Sequence, residues 1–113
     1  MMKHILLIRE VDRRVFEALK KGEKTIETRA ATEKYRKIQK GDILCFVCGK
    51  DRSEKQVEEV TLFKSFGEMV KVINFKQIMP FINSIEEMRG VYDSFPGYTE
   101  KIRQFGLVAF ILT

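Results

Sequence analysis

Three charged side chains in one short segment are the strongest candidates for chemistry in this sequence. Lys24, Glu27 and Arg29 lie within Gly22–Arg29, which reads GEKTIETR. A carboxylate between two cations stays ionised, because each nearby positive charge favours the charged form. It could activate a water molecule or accept hydrogen bonds from the amino edge of a base, while the two cations hold a phosphate or a developing oxyanion. The alternative is an exposed strand face whose charges form cross-strand ion pairs.

A basic stretch with one aromatic residue follows this segment. Tyr35 lies between Lys34 and Arg36, and Lys37 comes next. The ring could stack on a base, or it could anchor the stretch against the core. Arg36 and Lys37 are candidate phosphate contacts, and we predict micromolar affinity for single-stranded RNA, roughly 10⁻⁴–10⁻⁶ M.

The charge distribution also indicates an anionic partner. Lys and Arg total 21 against 16 Asp and Glu, giving a net charge of +5. The first 41 residues contain 12 Lys or Arg and 6 Asp or Glu, so the excess lies entirely there. This asymmetry is typical of a protein that binds nucleic acid or a phosphorylated small molecule, although a soluble basic surface would give the same count.

The cysteines and the single histidine do not form a metal-binding pattern. A structural zinc site needs four ligands, and this chain has only Cys45, Cys48 and His4 to offer. Two residues three apart on a strand also point to opposite faces. We therefore predict buried, unreactive cysteines, no metal and no cofactor. For His4 we favour a packing role at a strand end over a role as general base.

The elements that must position these residues are visible in the apolar pattern. Asp12 and Gly22 are the expected N-cap and stop of a helix over 13–21. Ser65, Asn74 and Ser84 each begin a capping-box pattern, which predicts three short helices between 66 and 93. The remaining pattern predicts strands over 4–8, 24–29, 43–47, 57–63 and 106–112, an exposed turn or loop over 49–55 and a turn over 95–98.

Strand alternation then assigns faces to the charged segment. With Ile26 in the core, Thr25, Glu27 and Arg29 take the other face and line a cleft, and Lys24 swings round from the strand start. A Glu27 side chain that faces a cleft predicts that Glu27→Gln leaves stability nearly unchanged.

Length and composition set the fold class. A chain of 113 residues with 44% hydrophobic and 33% charged residues fits one globular domain, here 1–113. The order of elements predicts an α+β fold, a small and mostly antiparallel β-barrel with helices packed outside. The apolar runs are far shorter than the roughly 20 residues that span a bilayer, and no signal-peptide core is present, so we expect a cytoplasmic protein without a membrane partner. Abundant Lys, Arg and Glu with only two Asn favour a thermophilic source.

Four motifs in order resemble the ASCH domain, a branch of the PUA-like superfamily. They are the G-x-K-T-I-E-x-R block at Gly22–Arg29, the strand entry at 40–44 (KGDIL), the strand at 60–66 (VTLFKSF), and the turn 95–98 (FPGY) followed by 105–110 (FGLVAF). The resemblance covers nearly the whole chain. It implies a PUA-like barrel with a cleft beside the first block, suited to RNA or a nucleoside-like ligand.

The resemblance also implies a possible activity. Some ASCH proteins are amidohydrolases of N4-acylated cytidines, and they resemble G-x-K-T-I-T-x-R, with the lysine and the second threonine catalytic and a downstream glutamate as partner. Lys24 matches that lysine, but Glu27 stands in place of the threonine nucleophile. Glu68 is the candidate for the downstream glutamate.

Three functional hypotheses follow. The first is an ASCH-type module that binds RNA or a nucleoside-like ligand in the cleft of Lys24, Glu27 and Arg29, with Thr25, Arg29, Tyr35, Arg36 and Lys37 as ligand-binding residues. The second is a small hydrolase of an N4-acylated cytidine or of RNA, with Glu27 as base and Lys24 as electrostatic stabiliser. The third is a protein-interaction adaptor whose basic face is incidental.

Overall fold

The computed structural model describes all 113 residues, Met1–Thr113. Five strands and six helices make up the fold. The strands are β1 (Lys3–Leu7), β2 (Ile26–Ala30), β3 (Ile43–Cys48), β4 (Asp51–Phe63) and β5 (Leu107–Leu112). The helices are α1 (Arg13–Lys21), α2 (Glu33–Arg36), α3 (Phe66–Val72), α4 (Phe75–Ile78), α5 (Ile85–Ser94) and α6 (Tyr98–Phe105), and a 3₁₀ turn at Glu10–Asp12 precedes α1. No helix is long and apolar enough to span a membrane.

The strands form one open, mixed sheet in the order β1-β3-β4-β5-β2. The β1–β3 pair is parallel, and the other three pairs are antiparallel. The α+β class is as predicted, but the closed barrel is not what the chain forms. β1 and β2 are the two edge strands, and no ladder of hydrogen bonds joins them.

Side chains occupy the edge of β2 at which a barrel would close. Thr25 and Ala31 form main-chain hydrogen bonds with Leu112 and Gly106. The main-chain N–H and C=O groups of the odd-numbered residues of β2 therefore point toward β5, and those of the even-numbered residues point toward the free edge of the sheet. On that outer edge the Ile26 carbonyl accepts a hydrogen bond from Lys24 Nζ at 2.7 Å. The Thr28 N–H donates to Glu27 Oε1 at 3.1 Å. These groups are no longer free to pair with another strand.

Two apolar clusters cover the two faces of the sheet. The first packs α1 against the sheet through fully buried side chains such as Phe16, Phe46 and Phe110. The second packs the helices that follow β4 against the other face of β5 and β2, with Met69 and Met88 at its centre. Residues of β5 alternate between the two clusters, which explains its unbroken apolar sequence LVAFIL.

The predicted helices are confirmed. Helix α1 spans 13–21 and ends at Gly22, whose φ of 81° is a left-handed conformation that glycine adopts without strain. The hydroxyls of Ser65 and Ser84 accept hydrogen bonds from the third residue of their helices, as the capping box requires. Asn74 caps one residue earlier, at the Lys76 N–H. The segment 66–93 is thus helical and lies outside the sheet.

Two segments differ from the sequence-based prediction. Of the segment 49–55, predicted as an exposed turn or loop, only residues 49–50 form a turn, and β4 already begins at Asp51 and pairs with β3. The first half of β4 is exposed and polar on most positions, so it carries no apolar alternation. The sequence does not predict helix α6, because this helix buries no residue completely and its N-cap, Gly97, has no side chain to cap it.

Candidate functional site

A cavity of about 180 Å³ lies where the sheet fails to close between β1 and β2. The residues after β1 form one wall, β2 with the residue Lys24 forms the opposite wall, and the helical layer closes the rest. The lining residues are Leu7, Ile8, Arg9, Asp12, Val15, Lys24, Glu27, Thr28, Arg29, Ile78, Met79, Tyr92, Phe95, Pro96 and Tyr98. The wall is mostly apolar and aromatic, with a few polar groups, which is the usual make-up of a small-ligand site.

The side chains of β2 alternate as predicted, with Ile26 buried in an apolar core and Glu27 and Arg29 at the cavity wall, but the core that Ile26 enters is the helical layer outside the sheet. Ile26 packs into the second cluster, against the helices. Glu27 and Arg29 lie opposite Phe110 and Val108 of β5, which belong to the first cluster. The two charged side chains therefore project toward the inner face of the sheet, and they border a cavity only because no strand closes the gap beside them.

Lys24, Glu27 and Arg29 converge in one buried network. Lys24 Nζ lies 3.2 Å from Glu27 Oε1, and Arg29 Nη2 lies 3.1 Å from Glu27 Oε2. The Glu27 side chain is only 7% exposed. Burial acts to raise the pKa of Glu27, but the charges of Lys24 and then Arg29 outweigh it and hold that pKa below its ordinary value. Glu27 is therefore ionised.

Lys24 donates all of its protons within the protein. Its Nζ lies 2.7 Å from the carbonyl oxygens of Ile26 and Ile78, and its third acceptor is Glu27. Burial lowers the pKa of Lys24, and Glu27 opposes that shift. An ammonium has three donors, so Lys24 has none left for a phosphate or an oxyanion. Its contacts tie β2 to α4 and hold the Glu27 carboxylate in place.

Glu27 is equally saturated. Oε1 accepts from Lys24 and from the Thr28 N–H. Oε2 accepts from both Nε and Nη2 of Arg29, at 3.2 and 3.1 Å. A carboxylate offers about four lone-pair sites, and the protein fills all four.

Arg29 spans the gap between the two edge strands. Its Nη2 donates to the Leu7 carbonyl at 3.3 Å, and its Nη1 donates to the Tyr35 hydroxyl at 3.3 Å. Its guanidinium also lies 5.5 Å from the centre of the Tyr35 ring. Tyr35 packs against the first cluster. It therefore anchors Arg29 and does not present a free stacking face to the cavity.

Two hydroxyl-bearing residues of the cavity were missed from the sequence. Thr28 Oγ1 and the Tyr92 hydroxyl form a buried hydrogen bond at the cavity wall. Burial raises the pKa of Tyr92 above its ordinary value and that of Tyr98 to about 12, so both phenols are protonated. Tyr92 is 64 residues from Thr28, and no local motif connects them. The sequence predicts a turn at 95–98 that belongs to the family motifs, but it does not assign this turn to the site, where Phe95, Pro96 and Tyr98 line the cavity.

The other predicted site residues lie elsewhere. Thr25 uses its main chain to join Gln77 and Leu112 and is not at the cavity wall. Arg36 donates to the carbonyls of Ala31 and Phe105, at 2.7 and 3.0 Å, and so links α2 to the end of α6. Lys37 lines a separate groove, and Glu68 is exposed in the first turn of α3, away from the cavity.

The single histidine and the cysteines also lie outside this cavity. His4 Nε2 lies 2.8 Å from Asp42 Oδ2, and both side chains are nearly buried. Hydrogen bonds from the Gln39 N–H, from His4 and from the Met2 N–H lower the pKa of Asp42 to about 2. Cys45 and Cys48 are buried and unpaired. No group of three or more His, Cys, Asp or Glu side chains is placed to hold a metal ion.

Known proteins are similar to this chain in architecture and in sequence. The ASCH domain family matches residues 10–111. The crystal structure of hypothetical protein PH0355 has a TM-score of 0.82 and 31% identity, covering 99% of this chain and 97% of its own. The solution NMR structure of protein PF0455 from Pyrococcus furiosus has a TM-score of 0.75 and 32% identity, covering 98% and 96%. No curated protein matches the chain. Because the family match spans nearly all of the sequence, the chain belongs to the ASCH domain family.

Proposed function

We propose that this ASCH domain binds the base of a nucleoside-like ligand in the cavity beside β2 and does not hydrolyse it. The observation that carries the proposal is the saturated Glu27 carboxylate, whose lone pairs are all taken by Lys24, Thr28 and Arg29. A general base needs a free lone pair within reach of the proton that it removes. Its lowered pKa makes Glu27 a still weaker base. Glu27 thus maintains the site and does not activate water.

The volume and lining of the cavity suit a single aromatic ring. Phe95 and Tyr98 supply aromatic side chains at its wall, and aromatic rings are the usual stacking partners of unpaired bases. The volume of about 180 Å³ is below the roughly 300–1,000 Å³ of sites for drug-sized ligands. A single base fits such a volume better than several stacked ones. The Thr28–Tyr92 hydroxyl pair supplies polar groups that orient it.

The base could belong to a free nucleoside or to one unstacked nucleotide of an RNA strand. A second groove of about 320 Å³ runs between β1 and α2 and contains the lysines Lys3, Lys34 and Lys37. Tyr35 lines this groove and also contacts Arg29 of the cavity. A strand with one base in the cavity would find positive charge nearby for its phosphates, which supports RNA as one source of the base.

Blocking the cavity tests the proposal. Val15 of α1 lines the cavity, and Val72 of α3 is 73% exposed and remote from it. Val15→Phe fills the cavity, and Val72→Phe adds the same ring on the surface. We expect calorimetric titration with the four ribonucleosides and with a single-stranded oligoribonucleotide to show binding that Val15→Phe weakens at least about tenfold. Val72→Phe should bind like the wild type, and thermal melts of both variants check folding.

Two results would contradict the proposal. Absence of binding by every nucleoside and by the oligonucleotide would remove it. Turnover of N4-acetylcytidine by the wild type would support the hydrolase hypothesis instead. Binding of the oligonucleotide alone would identify RNA as the source of the base.

A further inference from the structure

The network at the cavity wall carries a net charge of +1. Lys24 and Arg29 contribute two positive charges and Glu27 one negative charge, all within salt-bridge distance. The remaining charged residues of the cavity wall, Arg9 and Asp12, neutralise each other at 2.8 Å. One positive charge is therefore left without a counter-charge at the wall.

This positive charge is held in place by hydrogen bonding. Lys24 is bound to three acceptors, two carbonyls and a carboxylate. A neutral amine has only two hydrogens, so it would leave one of these buried acceptors without a donor. Arginine stays protonated at every relevant pH. The three acceptors therefore favour the protonated form of Lys24, against the burial that lowers its pKa.

Near Arg29 the cavity wall has hydrogen-bond donors that are not used within the protein, whereas the carboxylate of Glu27 has no acceptor site left. Arg29 has five N–H groups, of which four are donated to Glu27, Leu7 and Tyr35. One N–H on Nη1 remains. Tyr98, which also lines the cavity and lies close enough to Arg29 to feel its charge, is protonated and can donate its hydroxyl hydrogen. Glu27, in contrast, has no lone pair left.

We infer that the ligand carries an anionic oxygen group, the phosphate of a nucleotide, and that this group binds at the Arg29 end of the cavity. A buried charge without a partner is unfavourable, and an anion placed beside it in a poorly solvated cavity gains more than it would in water. The inference rests on the proposed function, since the base occupies the aromatic part of the same cavity. A mononucleotide and an RNA strand share this phosphate chemistry.

Paired ligands test the inference on the wild-type protein. We compare each ribonucleoside with its 5′-monophosphate by calorimetric titration at constant ionic strength. The monophosphate should bind on the order of tenfold more tightly, or better, because one additional charge pair forms in the cavity. Inorganic phosphate should compete with it. A dinucleotide without a terminal phosphate separates the two sources, because it carries only the internal phosphate of an RNA strand.

Two substitutions test whether the network is responsible for this preference. Lys24→Met introduces an uncharged side chain of similar length and leaves Glu27 and Arg29 as a neutral pair. The control, Lys71→Met, removes one exposed lysine of α3. We expect the preference for the monophosphate to fall to within about twofold in Lys24→Met and to persist in Lys71→Met. A preference that persists in a folded Lys24→Met protein would overturn the inference.

The wild-type titrations suffice if Lys24→Met does not fold. If the nucleoside binds as tightly as the monophosphate, or more tightly, the inference that an anionic group binds beside Arg29 is wrong, and the proposed function still stands. If neither the nucleoside nor its monophosphate binds, both the proposed function and this inference are wrong.

Discussion

Replacement of Glu27 by glutamine keeps the shape of the side chain and removes the charge that Lys24 and Arg29 share. One of its two polar atoms becomes an NH₂ group, which then faces either the ammonium of Lys24 or the guanidinium of Arg29, both of them donors. Removing one partner of a buried ion pair costs about 3–5 kcal/mol. The amide still accepts through its remaining oxygen, so we expect a loss near the lower end, about 3 kcal/mol. For a domain of this size, that corresponds to a fall in Tm of roughly 12 °C.

A thermal melt against a matched control measures this effect. Glu100 forms an ion pair with Arg103 on the surface, with 65% of its side chain exposed. Glu100→Gln should therefore change stability by less than about 1 kcal/mol. The folded-state pKa of Glu27 lies below its unfolded value, so its contribution is present above about pH 4.3 and is lost as the pH falls. The difference between the wild type and Glu27→Gln should narrow in acid. Equal melts for Glu27→Gln and Glu100→Gln at neutral pH would refute the buried network, and would restore the expectation of a carboxylate facing an open cleft.

Three further outcomes are expected. Asp42 has a pKa of about 2 when folded and about 3.9 when unfolded, so it should contribute roughly 2–3 kcal/mol of stability that is lost progressively as the pH falls from about 5 to about 1. Urea unfolding across this range should show the loss in the wild type and not in Asp42→Asn. Gly106→Ala should destabilise the protein by at least about 2 kcal/mol, because the φ of Gly106 is 79° and a Cβ would lie 2.4 Å from a main-chain oxygen. The control, Gly90→Ala, is at an open position of a helix and should stabilise the protein slightly. A Gly106→Ala variant that melts at the same temperature as the wild type would contradict this prediction. Arg36→Ala should lower Tm because it removes two hydrogen bonds to main-chain carbonyls, and Lys37→Ala should not; equal melts would show that Arg36 only lies on the surface.

Local features of this protein could be predicted from the sequence because they depend on neighbours along the chain. The hydroxyls of Ser65 and Ser84 need only an N–H three residues away, and Gly22 needs only its own freedom at positive φ. The grouping of Lys24, Glu27 and Arg29 belongs here too, since all three lie within six residues. The order of elements gave the correct α+β class, and the family resemblance pointed to a cleft beside this segment, although the closed barrel that it implied does not form.

The tertiary structure decided how these residues are used. Whether Ile26 or Glu27 faces the inner cluster depends on the register of β2 against β5, and a shift of one residue reverses every side chain of a strand. Whether Lys24 has a free donor depends on the Ile78 carbonyl, 54 residues away. The cavity exists because side chains satisfy the outer edge of β2, so β1 and β2 remain apart. Contacts of this kind join distant parts of the chain, and no local pattern of residues encodes them.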